Sequence, residues 1–307
     1  MTSPLDVAGF VELLETRHRE VAENKYNDLP SMIDKMYRVL PSDSAWESFY
    51  NVGSLPDIPA FNGALTTLGI SPGYNTKIEP KQFAGQVISE RTLMDDKKYP
   101  VFDNIAEELI SSAHRVREKY GVRPLAYAFS TAFDFMESEE GVSLCSSSHT
   151  TKAGTSTTNG FDNAGTSALN KTAVAATRLL IKGFRSDISE RIDTGDDFFL
   201  AFPDELEETA YEIVKTPKGY DTAADDVNFQ AGKYELIPWS RLGDVDSNNW
   251  FMGVKSRMKK DLLWIDRIKP ETKTTVDWST YALMQAVYMR IAAGWIDWRW
   301  VYGHQVG

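Results

Sequence analysis

PVFDNIAEELISSAHRVREKY, residues 100–120, is the stretch from which the rest of the fold can be placed. Apolar and small residues recur along it in steps of three and four: Phe102, Ile105, Ala106, Leu109, Ala113, Val116 and Tyr120. That spacing keeps them on one side of a long amphipathic helix. Pro100 suits its first turn, and Gly121 is expected to end it. At about 1.5 Å per residue the helix would be roughly 30 Å long, comparable to a small domain.

The composition of the 307-residue chain, with 42% hydrophobic residues, is that of an ordered globular protein. Its single cysteine, Cys145, allows no internal disulfide and fits a reducing compartment. The N-terminal residues contain no long apolar run, so neither a signal peptide nor a membrane span is expected, and the chain should be made in the cytoplasm. The formal net charge of −11 opposes broad binding to phosphate backbones and disfavours a dedicated DNA-binding protein.

The region before this helix is predicted to have little core of its own. Residues 4–24 have the pattern of an amphipathic helix, and 28–63 are broken by prolines into an extended arm. Residues 68–96 alternate as the two strands of a long hairpin. Because an isolated hairpin is marginal in water, we expect this one to lie on a neighbouring subunit. The expected contact residues are Tyr74, Lys77, Ile78, Lys81, Phe83, Val87 and Arg91.

After the long helix the pattern changes twice, as in a compact α/β or α+β protein. In order, it predicts a second helix from Pro124 to Glu139, a polar loop from Gly141 to Ala168 with almost nothing to bury, a helix from Ser167 to Gly183, a strand at 197–202 and a helix from Pro203. From Tyr234 onward the runs are rich in Trp, Tyr, Val and Ile, as in strands. The last two runs, joined near Ala293 and Gly294, suggest a terminal hairpin.

No strong catalytic motif is present: the sequence has no glycine-rich phosphate loop, HExxH, CxxC or GxSxG pattern. His149 follows Cys145 by four residues, which leaves a hydrolase with this nucleophile and base as an alternative, although loop polarity explains the pair more simply. We expect no cofactor and no catalytic site.

A calcium loop is the one metal site that the sequence suggests. Asp244, Asp246 and Asn248 have alternating oxygen spacing, but Asn249 stands where such a loop needs Gly and Lys255 where it needs Glu. A polar turn without metal is therefore the favoured interpretation.

Taken in order, these pieces resemble the major capsid proteins of tailed bacteriophages, which have the Hong Kong 97-type fold. The resemblance is carried by the arm, the hairpin, the long helix and the stretches EEGVSLCSSSHTT (139–151), FFLAFPDELEETAYEIV (198–214), KYELIPWSRLGDVDSNNWFMG (233–253) and YMRIAAGWIDWRWVYGH (288–304). It implies an N-terminal helix and arm over 1–67, an E-loop hairpin over 68–96, a peripheral domain over 97–145 and 269–307 with its spine helix at 100–120, and an axial domain over 146–268.

The resemblance implies assembly into an icosahedral head that encloses double-stranded DNA, with pentamers and hexamers of the chain as its units. It also implies a separate scaffold or none, a portal and possible decoration proteins, in a virion assembled in the host cytoplasm. Some members of this family crosslink through an E-loop lysine; Lys77 and Lys81 lie on the matching hairpin, but no partner asparagine can be chosen and no bond is predicted. An encapsulin-like compartment for protein cargo is the alternative within the same fold.

Overall fold

The computed structural model of the protein describes residues 7–96, 98–132, 134–217, 227–277 and 279–307. The helices are α1 (Val7–Asp28), α2 (Ile33–Met36), α3 (Arg91–Asp95), α4 (Tyr99–Ala126), α5 (Lys171–Lys182), α6 (Glu207–Lys215), α7 (Ser240–Gly243) and α8 (Lys255–Asp261). The strands are β1 (Arg38–Pro41), β2 (Glu47–Val52), β3 (Pro72–Ile78), β4 (Lys81–Ser89), β5 (Met136–Ser138), β6 (Ala164–Gly165), β7 (Phe198–Phe202), β8 (Tyr234–Pro238), β9 (Trp250–Val254), β10 (Leu262–Val276), β11 (Leu283–Trp295) and β12 (Val301–His304).

The strands form three sheets, and the helices pack on two of them. A four-stranded sheet has the order β1-β10-β11-β4, and α1 and α4 both contact it. A five-stranded sheet has the order β6-β12-β9-β7-β8, with α5 on β9 and β12 and α6 on β8. The small third sheet has the order β2-β3-β5. Helices and mixed sheets in separate layers make this the α+β architecture expected from the sequence.

The long helix is confirmed, but it is longer than expected. α4 continues through Gly121 and Pro124 to Ala126, so the predicted second helix from Pro124 to Glu139 is wrong. Gly121 has a packing role instead of a terminating one: a Cβ there would lie 3.0 Å from Cγ1 of Ile33, and its carbonyl accepts a hydrogen bond from Tyr37 Oη. The glycine therefore marks a close approach between α4 and the segment before β1.

A buried ion pair fixes α4 to the four-stranded sheet. Arg117 donates two hydrogen bonds to Asp266 on β10, with Nη1–Oδ1 at 2.8 Å and Nη2–Oδ2 at 3.2 Å. The indole of Trp264 donates to the same carboxylate at 2.8 Å, and the guanidinium also lies 5.2 Å from that ring. The pairing satisfies both charges away from water.

The predicted hairpin at 68–96 is wrong in its pairing. β3 and β4 do occupy this region, but β3 pairs with β2 and β5, whereas β4 pairs with β11. Between them, the backbone N–H of Glu79 donates to the carbonyl of Phe135 at 2.8 Å. The chain therefore passes from one sheet to another at Glu79 and Pro80 instead of turning back on itself.

The prediction of a hairpin around Ala293 and Gly294 is also wrong, because the antiparallel pair is formed by β10 and β11. β10 and β11 pair antiparallel from Leu262↔Trp295 to Val276↔Leu283, so Ala293 and Gly294 lie inside a strand. β12 leaves this sheet and pairs with β9 and β6. The last strand thus belongs to the five-stranded sheet, although the resemblance placed all of 269–307 with the peripheral domain.

Several local predictions are confirmed. β7 occupies the strand predicted at 197–202, and a 3-10 turn over Asp204–Leu206 leads directly into α6. The helix predicted from Ser167 to Gly183 is present but begins later than predicted: α5 starts at Lys171 and is capped by Asn170, whose Oδ1 accepts the N–H of Ala173 at 2.8 Å. α1 extends to Asp28; the expected start of this helix at residue 4 lies outside the described residues.

Candidate assembly interface

A long exposed hairpin extends from β2 to β3, and we call it the excursion (residues 47–78). Its two strands pair antiparallel from Glu47↔Ile78 to Val52↔Pro72. Beyond them, the N–H of Gly53 donates to the carbonyl of Ser71 at 2.9 Å. The segment between these two residues leaves the molecule and returns to nearly the same point.

The excursion exposes large apolar side chains that nothing in its own chain covers. Residues 55–67 are exposed without interruption. Seven large apolar residues of the excursion are between 51% and 93% exposed: Tyr50, Val52, Leu55, Ile58, Phe61, Leu65 and Ile70. Single apolar residues are normal on a surface, but seven large ones exposed along one short segment mark an interaction site.

The base of the excursion is held firmly. Tyr74 Oη lies 2.7 Å from Thr150 Oγ1, and the N–H of Asn75 donates to Glu139 Oε2 at 2.9 Å. Lys152 donates to Glu139 Oε1, and this hydrogen bond lowers the pKa of the exposed carboxyl. These contacts fix where the excursion leaves the body while its tip stays free.

The structure separates the seven predicted contact residues into different surroundings. Ile78 is fully buried in its own chain, so it is not available as a contact between subunits. Tyr74 is engaged with Thr150 as described above. Lys77 lies 3.6 Å from Glu79 and 3.8 Å from Glu137, and its Nζ is 5.8 Å from the Trp46 ring.

The other four lie on or just after β4, which is an edge strand. Lys81 lies 4.0 Å from Asp134, and Phe83 packs on Tyr120 with ring centroids 4.8 Å apart. Val87 is partly exposed and, with residues of α4, lines an open apolar groove. Arg91 pairs with Asp95 at 3.5 Å, four residues along. These residues therefore lie on the body of the protein and not on the excursion tip. The apolar residues of the tip were not among the predicted contact residues.

Cys145 and His149 do not form a nucleophile and base. Burial raises the pKa of the Cys145 thiol well above its ordinary value, which disfavours the thiolate. His149 uses both ring nitrogens elsewhere: Nδ1 lies 3.0 Å from Glu140 Oε1 and Nε2 lies 3.1 Å from Asn163 Oδ1. Its ring also stacks on Trp298 at 4.1 Å. The hydrolase alternative thus loses its best residues.

The polar segment from Gly141 to Ala168 is better packed than expected. It buries Leu144, Cys145, His149 and Phe161, so the prediction that it has almost nothing to bury is wrong. Asn163 holds it in place, accepting from Ser146 N–H at 2.8 Å and donating to the carbonyls of Leu144 and Val301. Side-chain hydrogen bonds replace regular secondary structure here.

The candidate calcium loop is a polar turn in which the Asp246 side chain bonds the backbone two residues later. Asp246 Oδ1 accepts the N–H of Asn248 at 2.8 Å. Across the described ranges of the chain, no group of three His, Cys, Asp or Glu residues is placed to hold a metal ion. Among the same residues, no helix is long and apolar enough to cross a membrane.

Structural comparison finds the same architecture in solved capsid structures. The capsid of a native GTA particle aligns with a TM-score of 0.53 at 12% identity, over 91% of each chain. The procapsid of bacteriophage JBD30 aligns with a TM-score of 0.52 at 15% identity, over 98% of this chain and 77% of that one. Mycobacterium phage Patience aligns with a TM-score of 0.56 at 9% identity, over 100% of this chain and 90% of that one. At these identities the likeness establishes the fold.

A long helix on a four-stranded sheet, a second mixed sheet and a projecting hairpin make up the Hong Kong 97-type fold. The sequence comparison is more specific: residues 74–303 match the family described as "Phage capsid protein". The chain belongs to this family. A comparison with curated proteins gives no match.

Proposed function

We propose that this protein is the major head protein of a tailed phage, which assembles as pentamers and hexamers into a closed icosahedral shell around double-stranded DNA. In this proposal the excursion is the E-loop, so the E-loop lies at 47–78 and not at 68–96. The remaining division follows the resemblance, with β12 added to the axial domain of 146–268 because it pairs with β9. Family membership supports a phage shell over an encapsulin-like compartment.

The uncovered apolar segment 55–67 is the observation that carries this proposal. Covering one large apolar side chain contributes about 1.5–3 kcal/mol relative to leaving it in water. Leu55, Ile58, Phe61 and Leu65 lie within the segment and gain this only from another molecule. A shell places such a molecule beside every copy, because each subunit both offers and receives the same contact.

The base of the excursion makes a precise deletion possible. Since Gly53 and Ser71 are already hydrogen-bonded, residues 55–68 can be replaced by a two-residue glycine link without parting β2 from β3. We expect the purified deletion variant to keep the wild-type circular dichroism spectrum and melting temperature but to form no closed particles by negative-stain electron microscopy. Tyr127→Ser, which removes one exposed aromatic from the body, is the control and should assemble normally.

Closed particles from the deletion variant at wild-type yield would refute the role of the excursion. The contents of particles purified from infected cells test whether the shell encloses DNA. Nuclease-protected double-stranded DNA is expected, and protein cargo without DNA would favour the encapsulin-like compartment instead.

A separate scaffold, a portal and decoration proteins are the further partners in this proposal, with assembly in the host cytoplasm and the mature chain in the virion. If the scaffold is separate, the chain in mature shells has the mass of the full sequence. A smaller mass would show that part of the chain is cleaved.

A further inference from the structure

The five-stranded sheet carries a group of cations at one end, which we call the basic patch (Arg178, Lys182 and Lys233). Arg178 and Lys182 project from α5 to within 6.0 and 5.9 Å of the Phe198 ring at the start of β7. Lys233 precedes β8 and lies over the ring of Phe229, which is 60% exposed. These three cations share one carboxylate, Asp196, which bonds Lys182 at 2.6 Å and lies 3.9 Å from Arg178. Among the described residues, the patch therefore has more positive than negative charge.

The opposite end of the same sheet carries a group of exposed carboxylates, which we call the acidic patch. It lies on the 3-10 turn and α6, directly after β7 ends: Asp204, Glu205, Glu207, Glu208 and Glu212. None of these five forms an ion pair with any residue that the structure describes. Tyr211 stands among them, 59% exposed, so the patch combines negative charge with an uncovered aromatic ring.

The two patches are separate surfaces that face different directions along the sheet. β7 and β8 run parallel, from Phe198 and Tyr234 at the basic end to Phe202 and Pro238 at the acidic end. The four steps from Phe198 to Phe202, at about 3.3 Å each, put roughly 13 Å between these ends. This distance is longer than the Debye length of about 8 Å at physiological salt. The patches thus do not neutralise each other within one chain.

The apolar residues beside the charges make the two surfaces complementary. Leu179 on α5 lies next to the basic patch and is 68% exposed, and Phe229 is exposed there too. An interface that buries these side chains against Tyr211 would bring the cations onto the carboxylates at the same time. Oppositely charged patches of this kind fix the orientation of a contact more than its strength.

We propose that the basic patch of one subunit docks on the acidic patch of the next, so that a second copy of this chain is the partner of both. Two different patches on one subunit make a head-to-tail contact, which closes into a ring when the rotation per subunit divides a full turn. This inference rests on the proposed function, because it names the surfaces by which the axial domains meet in pentamers and hexamers.

Charge reversal tests the contact. Lys233→Glu and Glu208→Lys are each expected to lower the yield of closed particles at least tenfold, since like charges placed together cost several kcal/mol and about 1.4 kcal/mol is tenfold. The double variant restores the pair with reversed sign and should recover most of the yield. Lys119→Glu makes the same change in net charge as Lys233→Glu at an exposed position of α4, a helix that belongs to neither patch, and should assemble normally.

Crosslinking gives a second measurement that does not depend on yield. Lys233→Cys combined with Tyr211→Cys should give, on oxidation of assembled particles, a ladder that ends at five or six chains on a denaturing gel. Cys145 is buried and does not interfere. The pair Lys233→Cys and Lys119→Cys should give no ladder.

The outcomes separate this inference from the proposed function. Wild-type particles with no effect of either single reversal and no ladder would overturn the inference and leave the capsid function intact. Normal assembly of Lys233→Glu with a loss of packaged DNA would also overturn it, because the basic patch would then face nucleic acid. Failure of the wild-type chain to form particles at all would instead count against the proposed function.

Discussion

Removing the charge of Asp266 should be the most destabilising conservative change in the protein. The pair of Arg117 and Asp266 is only 4% and 7% exposed, so Asp266→Asn leaves a guanidinium without its counter-charge away from water. Breaking a buried pair from one side costs about 3–5 kcal/mol. Arg117→Met should cost a similar amount, because it leaves the carboxylate uncompensated.

The double variant Arg117→Met, Asp266→Leu removes both charges and should be much less destabilised than the two single changes added together. The main remaining cost is the Trp264 indole, which loses its acceptor, and a buried unpaired donor costs about 1–3 kcal/mol. Free energies of unfolding of unassembled subunits from urea titrations at pH 7 measure all three. The control is Asp95→Asn, which breaks an exposed pair and should cost less than about 1 kcal/mol.

Two results would refute this reasoning. The first is a single-variant loss of less than about 1 kcal/mol, which would mean that solvent reaches the pair. The second is a double-variant loss equal to the sum of the single losses, which would mean that the two side chains act independently.

Three further predictions concern single titrating groups. Cys145 should resist a thiol reagent in folded subunits and react only on unfolding, and Cys145→Ala should assemble normally; labelling of native shells would contradict this. Burial lowers the pKa of His304 to about 4, so the unfolded chain binds a proton between about pH 6.5 and 4 that the folded chain refuses, and stability falls as the pH drops through this window. His304→Gln should flatten that part of the wild-type curve of unfolding free energy against pH. Burial and the nearby Asp297 carboxylate raise the pKa of Asp261 to about 7. Because the folded chain then holds a proton that the unfolded chain releases, the folded protein loses stability as the pH rises from about 4 to 7. The free energy of unfolding of Asp261→Asn should therefore exceed that of the wild type at pH 8 but not at pH 4.

The sequence predicts elements well here because their signals are local. The stripe of α4, the strand β7 and the start of α6 just after Pro203 each depend on residues within a few positions of one another. The errors concern partners. Alternation on both sides of Pro80 predicts two strands correctly, but it cannot show that the first pairs upstream with β2 and the second pairs with β11, about two hundred residues later.

The same distinction explains the polar segment before α5. Its composition predicts exposure, yet Asn163 and His149 are buried because their hydrogen bonds are satisfied by groups that the sequence does not place beside them. Trp298, on which His149 stacks, comes from the other end of the chain. A buried polar group costs little when it is paired, so composition alone underestimates how far such a loop is packed.

The excursion is the part of the interface that was hardest to predict from the sequence. Leu55, Ile58, Phe61 and Leu65 are separated by prolines, glycines and polar residues, so no periodic pattern assigns them to a face. The sequence predicts an extended arm with little core of its own over residues 28–63, but it does not show which of the apolar side chains stay uncovered. Here the backbone at Gly53 and Ser71 closes the segment off from the body, and these side chains remain in solvent. The interface of a shell subunit is therefore found by asking which apolar residues the folded chain leaves uncovered, a question that the fold must answer first.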